Sequence, residues 1–571
     1  MNIYIPIQPD NNISLAKSSD TDILEAALKN IFNLSEYREY QRESIESFIN
    51  GHNTLTILKT GGGKTLIYAI ASLLFKGLTV VFTPLKSLMD DQLATFYASS
   101  EQPPELQERI FGELASGLTK VLLITPEKYI LNMKFRNMLK KINSLRGLQY
   151  VIEEAHCIKE YEYFRNSCTK LNVVKSEFPS VPMLFLTATC TLGTAEKLRA
   201  IITPSELQII RSNKIYRPDL KLEIISKPRG KEKLIQAIIS VIDSITNGRI
   251  IIYSASISDC ITVGQLLIKH YVSQNIGIYH GSMKSADRDI TLKLWKDGEI
   301  RFMSATNAFG MGINVSDVRA IIHTTFPMSL DSFIQEIGRA GRDGNGGRNI
   351  IFFSRADLQF DESSSLTEMV APTNQKKHLK EKRKQLLEMV HYCENKLECR
   401  QQLAYQIFTW PGDPDIPECH NCDNCCRREA ISTEWRNVSN EVNWIVRIVD
   451  QLIKRVTSRD PKLLRISRDD IADCFMCSKG KNAVSKDLSS IEGYGVSSES
   501  CSILNEDCLY LIDSLILAEI ITEEVDIKYS KEAKSLSYSS SLVGLKENAL
   551  NFVSTLEWKL LTRVSKKRKV T

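Results

Sequence analysis

Between residues 50 and 355 the chain is punctuated by short, nearly all-apolar runs, each followed by a stretch of helical pattern, and this constrains its fold most. An earlier set comprises Thr54–Leu58, Thr79–Thr83, Val121–Thr125, Leu148–Ile152 and Met183–Thr187; a later set comprises Arg249–Tyr253, Ile276–Tyr279, Arg301–Ala305, Ala320–Thr324 and Asn349–Phe353. A strand wet on one face alternates apolar and polar residues, whereas continuous apolar runs belong to strands covered on both faces, as in parallel sheets built from βαβ units. The pattern predicts an α/β chain with tandem parallel-sheet domains joined by a linker at Asn213–Lys227. After about residue 360 it changes to polar helices, a cysteine cluster, more helices and a short hairpin at Glu524–Ser530 and Ser535–Val543.

No apolar run nears the ~20 residues that span a bilayer, and the N-terminus lacks a signal-peptide pattern. A reducing compartment is therefore expected, so the 14 cysteines read as core residues plus one metal site rather than a disulfide framework. The net charge of +5 neither demands nor excludes nucleic acid, since a basic groove hides easily in a balanced total. Local runs say more. Lys376 to Lys384 is strongly basic, and Lys566-Lys567-Arg568-Lys569 has the composition of a nuclear import signal, which predicts a nuclear location.

Thr60-Gly61-Gly62-Gly63-Lys64-Thr65 lies between an apolar run and the helical pattern Leu66–Phe75. Glycines let backbone amides curl around phosphates, Lys64 neutralises β/γ oxygens, and the Thr65 hydroxyl suits Mg²⁺. Glu153 and Glu154 close the run Leu148–Ile152, at the edge where parallel sheets present ligands; one carboxylate is expected on the metal and the other on the attacking water. Gln335, Arg339 and Arg342 recur at helical spacing, on one face if the stretch is helical, and two guanidiniums suit the charge that develops in phosphoryl transfer. Cys419, Cys422 and Cys425 sit at two-residue gaps with Cys399 upstream, a set fit for tetrahedral Zn²⁺; Cys393, Cys426 and His420 compete with Cys399 as ligands.

Across residues 30 to 550 the chain resembles superfamily 2 helicases of the RecQ family. Tyr37-Arg38-Glu39-Tyr40-Gln41 resembles the motif preceding the P-loop, so the resemblance assigns Gln41 to adenine. Pro84 to Gln92, containing Ser87, resembles the DNA-gripping motif of the first domain; Thr187-Ala188-Thr189 resembles the motif coupling triphosphate to DNA. Ala308 to Asn314 and Gln335 to Gly344 resemble the last two motifs. The resemblance implies an N-terminal extension (1–30), two RecA-like domains (31–212 and 213–358), a helical zinc-binding subdomain (359–431), a winged-helix domain (432–557) and a basic tail (558–571). Tyr161, Phe164 and Arg165 fall in the family's aromatic loop, which relays DNA binding to hydrolysis. Lys479 and Lys481 are expected on phosphates, and Tyr529 on a terminal base pair.

Four departures stand out: Glu153 for the family's metal-binding aspartate, Tyr161 for tryptophan in a loop one residue shorter, Lys59 where proline is common, and Asp219 for asparagine after Arg-Pro. The resemblance implies an ATP-, Mg²⁺- and Zn²⁺-dependent 3′–5′ DNA helicase acting on forked or partly duplex DNA in repair or recombination. The alternative is a DNA-binding scaffold that keeps nucleotide affinity but hydrolyses slowly, which the first two departures favour.

Overall fold

The computed structural model describes residues 20–563 apart from 84–95, 99–112, 115–118, 157–170, 204, 213–214, 272–274, 311–314, 355–356, 358–371, 397, 431–432, 459–462, 464, 498–502, 531–534 and 557. Seven parallel strands form the first sheet: β1 (Asn53–Ile57), β2 (Leu78–Phe82), β3 (Phe96–Ala98), β4 (Val121–Ile124), β5 (Leu148–Glu153), β6 (Met183–Thr187) and β7 (Leu207–Arg211), in the order β3-β4-β2-β5-β6-β1-β7. Six parallel strands form the second: β8 (Leu220–Ser226), β9 (Arg249–Tyr253), β10 (Ile276–Tyr279), β11 (Phe302–Ala305), β12 (Val318–His323) and β13 (Gly347–Phe353), ordered β10-β11-β9-β12-β13-β8. Every residue of β1, β2, β5, β6 and β11 is buried, as continuous apolar runs require. Each sheet accordingly has a separate apolar core on either face.

The expected linker contains a strand. Within Asn213–Lys227, β8 pairs with β13 from Leu220 opposite Gly347 to Ser226 opposite Phe353. As an edge strand it buries Leu220 and Leu222 but leaves Lys221 and Glu223 half-exposed, and that alternation conceals it among continuous runs. β7, at the edge of the first sheet, buries only Ile210 and likewise lacks a continuous apolar run.

The helix Pro372–Glu394 and the cysteine segment do not form a separate globule. Leu386, Met389, Cys399, Tyr405, Cys422 and Cys425 share one core with Phe333 and Ile351 of the second-sheet unit. The C-terminal unit has its own core around the helices Ser439–Thr457, Arg468–Phe475 and Asn505–Leu517. Its hairpin is longer than expected: β15 (Ile521–Ser530) and β16 (Ser535–Leu545) stay paired from Ile521–Leu545 to Ser530–Ser535. The chain expected as tail begins with a strand, since β17 (Lys559–Arg563) pairs antiparallel with β14 (Thr433–Asn437); Lys566 to Lys569 lie outside the described residues.

His391 docks this unit on the long helix. Its ring stacks on Tyr510 at 4.2 Å and its Nε2 lies 3.1 Å from Ser514 Oγ. Burial pushes its imidazole down to about 4, against a smaller opposing pull from Asp513. Because the folded pKa lies below the unfolded one, the unfolded chain binds the extra proton first. The C-terminal unit is therefore expected to lose thermal stability as pH falls from about 6.5 towards 4, and His391→Gln should flatten that dependence in melting curves.

Candidate active site between the two sheets

The phosphate loop follows β1. Gly63 caps the helix Lys64–Leu74 at φ +77°, a left-handed conformation that glycine adopts without penalty. A side chain there would also collide with Gln41, whose Nε2 donates to the carbonyls of Gly62 and Gly63 at 3.1 Å each. Arg38 donates its guanidinium to the Gly61 carbonyl and its backbone N–H to Gln41 Oε1 at 2.8 Å. Gln41, read from sequence as an adenine contact, is thus buried and braces the loop.

Glu153 ends β5, and Glu154 follows with φ +49°, a backbone conformation uncommon outside glycine that costs ~1–3 kcal/mol and concentrates at functional sites. Burial alone would raise the Glu154 carboxyl, but Lys64, His156, Arg339 and Arg342 outweigh it and hold the group below the usual carboxylate range. Glu153, nearly buried, accepts a hydrogen bond from the Tyr68 hydroxyl, which in turn accepts one from Thr65. Burial and the Glu153 carboxylate push that phenol well above its ordinary value. Tyr68 went unnoticed in the sequence, although four positions after Lys64 on a helix it must share that residue's face.

His156, the histidine that the sequence places with the two glutamates at this sheet edge, was given no role there. Its Nδ1 lies 2.9 Å from Thr187 Oγ1, and Thr187 donates to the Thr189 carbonyl at 2.7 Å, so the ring carries its proton on Nδ1. Its Nε2 then accepts from Gln335 Nε2 at 2.8 Å, across the gap between the two sheets. Gln335, expected at the nucleotide, is joined in this structure to the segment after β5.

Gln335, Arg339 and Arg342 do not share a helical face. The helix Leu330–Ile337 ends before the arginines, where Arg339 N bonds Glu336 O and Ala340 N bonds Ile337 O, the tightened pattern of a closing turn. Any side chain at Gly338 would come within 2.9 Å of Thr60 Oγ1, so this glycine lets the turn reach the phosphate loop. Arg339 is largely buried, hydrogen-bonded to the Tyr253 hydroxyl, and its Nε–H has no partner among the described residues. A buried guanidinium donor left open costs free energy that a bound phosphate would recover.

The sulfurs of Cys399, Cys419, Cys422 and Cys425 all lie within 4.8 Å of one another, a spread suited to Zn–S bonds of ~2.3 Å, which place sulfurs ~3.8 Å apart. Backbone N–H groups of Arg400 and Cys425 approach Cys422 Sγ at 3.4 Å, and that of Cys419 approaches Cys399 Sγ at 3.3 Å; such donors favour the thiolate forms that bind metal. The donor set therefore fits zinc, and the rivals of Cys399 separate themselves. Cys426 is exposed, His420 is exposed beside Glu429, and Cys393 is buried outside the cluster with burial raising its thiol.

Ser87, Tyr161, Phe164 and Arg165 lie outside the described residues. Lys479 and Lys481 are exposed around Gly480 at the start of the helix Lys481–Ser485. Tyr529 stands opposite Leu536 on the long hairpin.

Family models match in consecutive stretches: DEAD/DEAH box helicase over residues 38–198, helicase conserved C-terminal domain over 231–344, and RecQ zinc-binding over 360–426. The putative ATP-dependent DNA helicase Q1 of Caenorhabditis briggsae is 30% identical over 446 residues, covering 76% of this chain and 70% of that protein. The ATP-dependent DNA helicase Q-like 4B of Arabidopsis thaliana is 31% identical over 590 residues, covering 96% of this chain and 48% of that longer protein. Among solved structures, the Mycobacterium smegmatis helicase Lhr bound to single-stranded DNA and AMP-PNP is 14% identical with a TM-score of 0.49, over 93% of this chain and 61% of that one.

Proposed function

This chain belongs to the RecQ family of helicases, and on that premise we propose that it is an ATP-driven DNA helicase whose motor is the gap between the two sheets. The observation that carries the reading is convergence: Lys64 and His156 from the first-sheet unit and Arg339 and Arg342 from the second act on one carboxylate, that of Glu154. Lys64 binds phosphate oxygens, with Thr60, Gly61, Gly62 and Gly63 as the cradle, and Gln41 remains the assigned adenine contact. Glu154 orients water, and the arginines stabilise transition-state charge. Thr65 and Glu153 would hold Mg²⁺, which polarises the phosphates. The Tyr68 hydroxyl on Glu153 fixes a carboxylate one methylene longer than the family's aspartate.

Zinc would be held by Cys399, Cys419, Cys422 and Cys425. DNA would be met by Ser87, Tyr161, Phe164 and Arg165 in the first domain, and by Lys479, Lys481 and Tyr529 in a C-terminal winged helix. A 3′–5′ direction, forked substrates, a repair role and a nuclear location follow from the family and the basic tail.

The test is Mg²⁺-dependent ATP hydrolysis with and without single-stranded DNA. Stimulation by DNA is expected, and Lys64→Ala should remove at least ~10² of the rate. Contact between Tyr68 and Glu153 also supports the scaffold alternative, since it engages the carboxylate that should face metal. A natural chain that is inert while Glu153→Asp hydrolyses ATP would sink the motor and leave a DNA-binding scaffold.

A further inference from the structure

Gln401 belongs to the zinc-clip segment, two residues after Cys399, yet its side chain faces away from the sulfurs into the second-sheet unit. It is fully buried, and its Nε2 donates to the carbonyls of Arg217 at 2.7 Å and Leu220 at 3.1 Å. Its Oε1 accepts the Arg217 N–H at 3.3 Å. Every polar atom of this amide is thus spent on the few residues leading into β8, whose backbone it clamps on both sides of Arg217.

Arg217 passes the constraint on. Its Nη2 donates to the carbonyls of Ala340 and Gly341 at 3.1 and 3.2 Å, inside the turn that bears Arg339 and Arg342. Asp219 holds the same guanidinium in a bidentate grip, Nε to Oδ1 at 2.8 Å and Nη2 to Oδ2 at 2.5 Å. The far end of the turn is tied to the same place, with Gly347 N bonded to Asp219 O at 3.3 Å. The bonds from Gln401 to the segment around Arg217, and from Arg217 to the turn, span 123 to 184 residues of sequence.

We propose that Gln401 is a positioning residue for ATP hydrolysis: through Arg217 it sets the carbonyls of Ala340 and Gly341, and so the placement of the Arg339 and Arg342 guanidiniums. This rests on the reading of those arginines as transition-state groups. Misplacement near 1 Å suffices to cost about a hundredfold in an oriented reaction, and an amide anchored on two carbonyls controls displacements of that size. Ground-state nucleotide binding, made by the phosphate loop, lies outside the chain of bonds.

The test compares the full-length natural chain with Arg339→Ala, Gln401→Met, Arg217→Lys and the Gln401→Met/Arg217→Lys double variant, each checked for zinc content and melting temperature. Gln401→Met keeps length and loses every hydrogen bond; Arg217→Lys keeps the charge beside Asp219 and loses the fork. Each single variant should lose about ten- to a hundredfold in kcat with KM for ATP nearly unchanged, and the double should be no worse than the weaker single. Affinity for ADP with aluminium fluoride should fall in parallel while affinity for ADP alone holds. Multiplying losses in the double, or equal losses for both ligands, would overturn the proposal. If Gln401→Met fails to fold, Arg217→Lys decides by the ligand comparison: a selective loss supports the proposal and an unselective one ends it. An Arg339→Ala protein as active as the natural chain would overturn the parent reading, whereas a loss confined to Arg339→Ala overturns this inference alone.

Discussion

Arg339→Ala is expected to lower kcat for DNA-stimulated ATP hydrolysis by ~10³–10⁵ while leaving the fold intact and KM for ATP little changed. The guanidinium is largely buried, bonded to Tyr253 and left with an open Nε–H, so its desolvation has already been met in the ground state. What it gains from a ligand is concentrated where charge builds on the transferring phosphoryl group. Arg339→Lys should not restore the rate, because an ammonium cannot reproduce the planar fork. A second signature follows from Glu154. Arg339 is one of the groups holding that carboxyl low, so its removal raises the carboxyl, and the acid limb of the rate profile moves to higher pH. A kcat within tenfold of the natural chain, with an unmoved acid limb, would remove Arg339 from the reaction.

The physical range of each interaction explains what was legible beforehand. Central strands announce themselves because burial on both faces forces continuous apolar runs, and β1, β2, β5 and β6 lie within a residue of where those runs stand. β7 and β8 escape because an edge strand is only partly covered and needs no continuous apolar run: β7 buries Ile210 alone, and β8 buries Leu220 and Leu222. The phosphate loop, Glu153 with Glu154, and three cysteines are local patterns set by backbone geometry, so their spacing exposes them. The choice of Cys399 is not local, and it becomes visible only when the sulfur distances separate it from Cys393 and exposure separates it from Cys426 and His420. Arg217 shows in the sequence only as part of an Arg-Pro pattern, and its link to Gln401 leaves no trace, since a hydrogen bond between residues 184 apart imposes no periodicity on either neighbourhood. The arginine turn misled for the opposite reason: spacing of three and four reads as a helix, yet the helix stops at Ile337 and a tightened turn carries the side chains.

Cys422→Ser is expected to cost the chain its second-sheet unit rather than its activity alone. The sulfur is fully buried and accepts N–H groups from Arg400 and Cys425. Arg400, itself buried, is held by Asp423, Asn424 and the Tyr392 carbonyl, so a charged network leans on the clip. Cys399, Cys422 and Cys425 also belong to the core that contains Trp295, Phe333 and Ile351, and opening the clip exposes that core. Structural zinc contributes ~10–16 kcal/mol in zinc-finger peptides, as much as the ~5–15 kcal/mol by which a whole domain is stable. A serine hydroxyl is a poor replacement for a thiolate ligand, so losing this one ligand is enough to reach the unfolding threshold. The first-sheet cores contain none of the cysteine ligands. Limited proteolysis of the variant should therefore leave a resistant fragment ending near residue 212, while the region from β8 to Cys425 is degraded and zinc content falls. Cys426→Ser, changing an exposed sulfur outside the cluster, should leave yield, zinc and protease pattern unaltered. If Cys422→Ser stays soluble with one zinc per chain, the metal does not hold this core together, and the shared apolar packing alone must carry the fold.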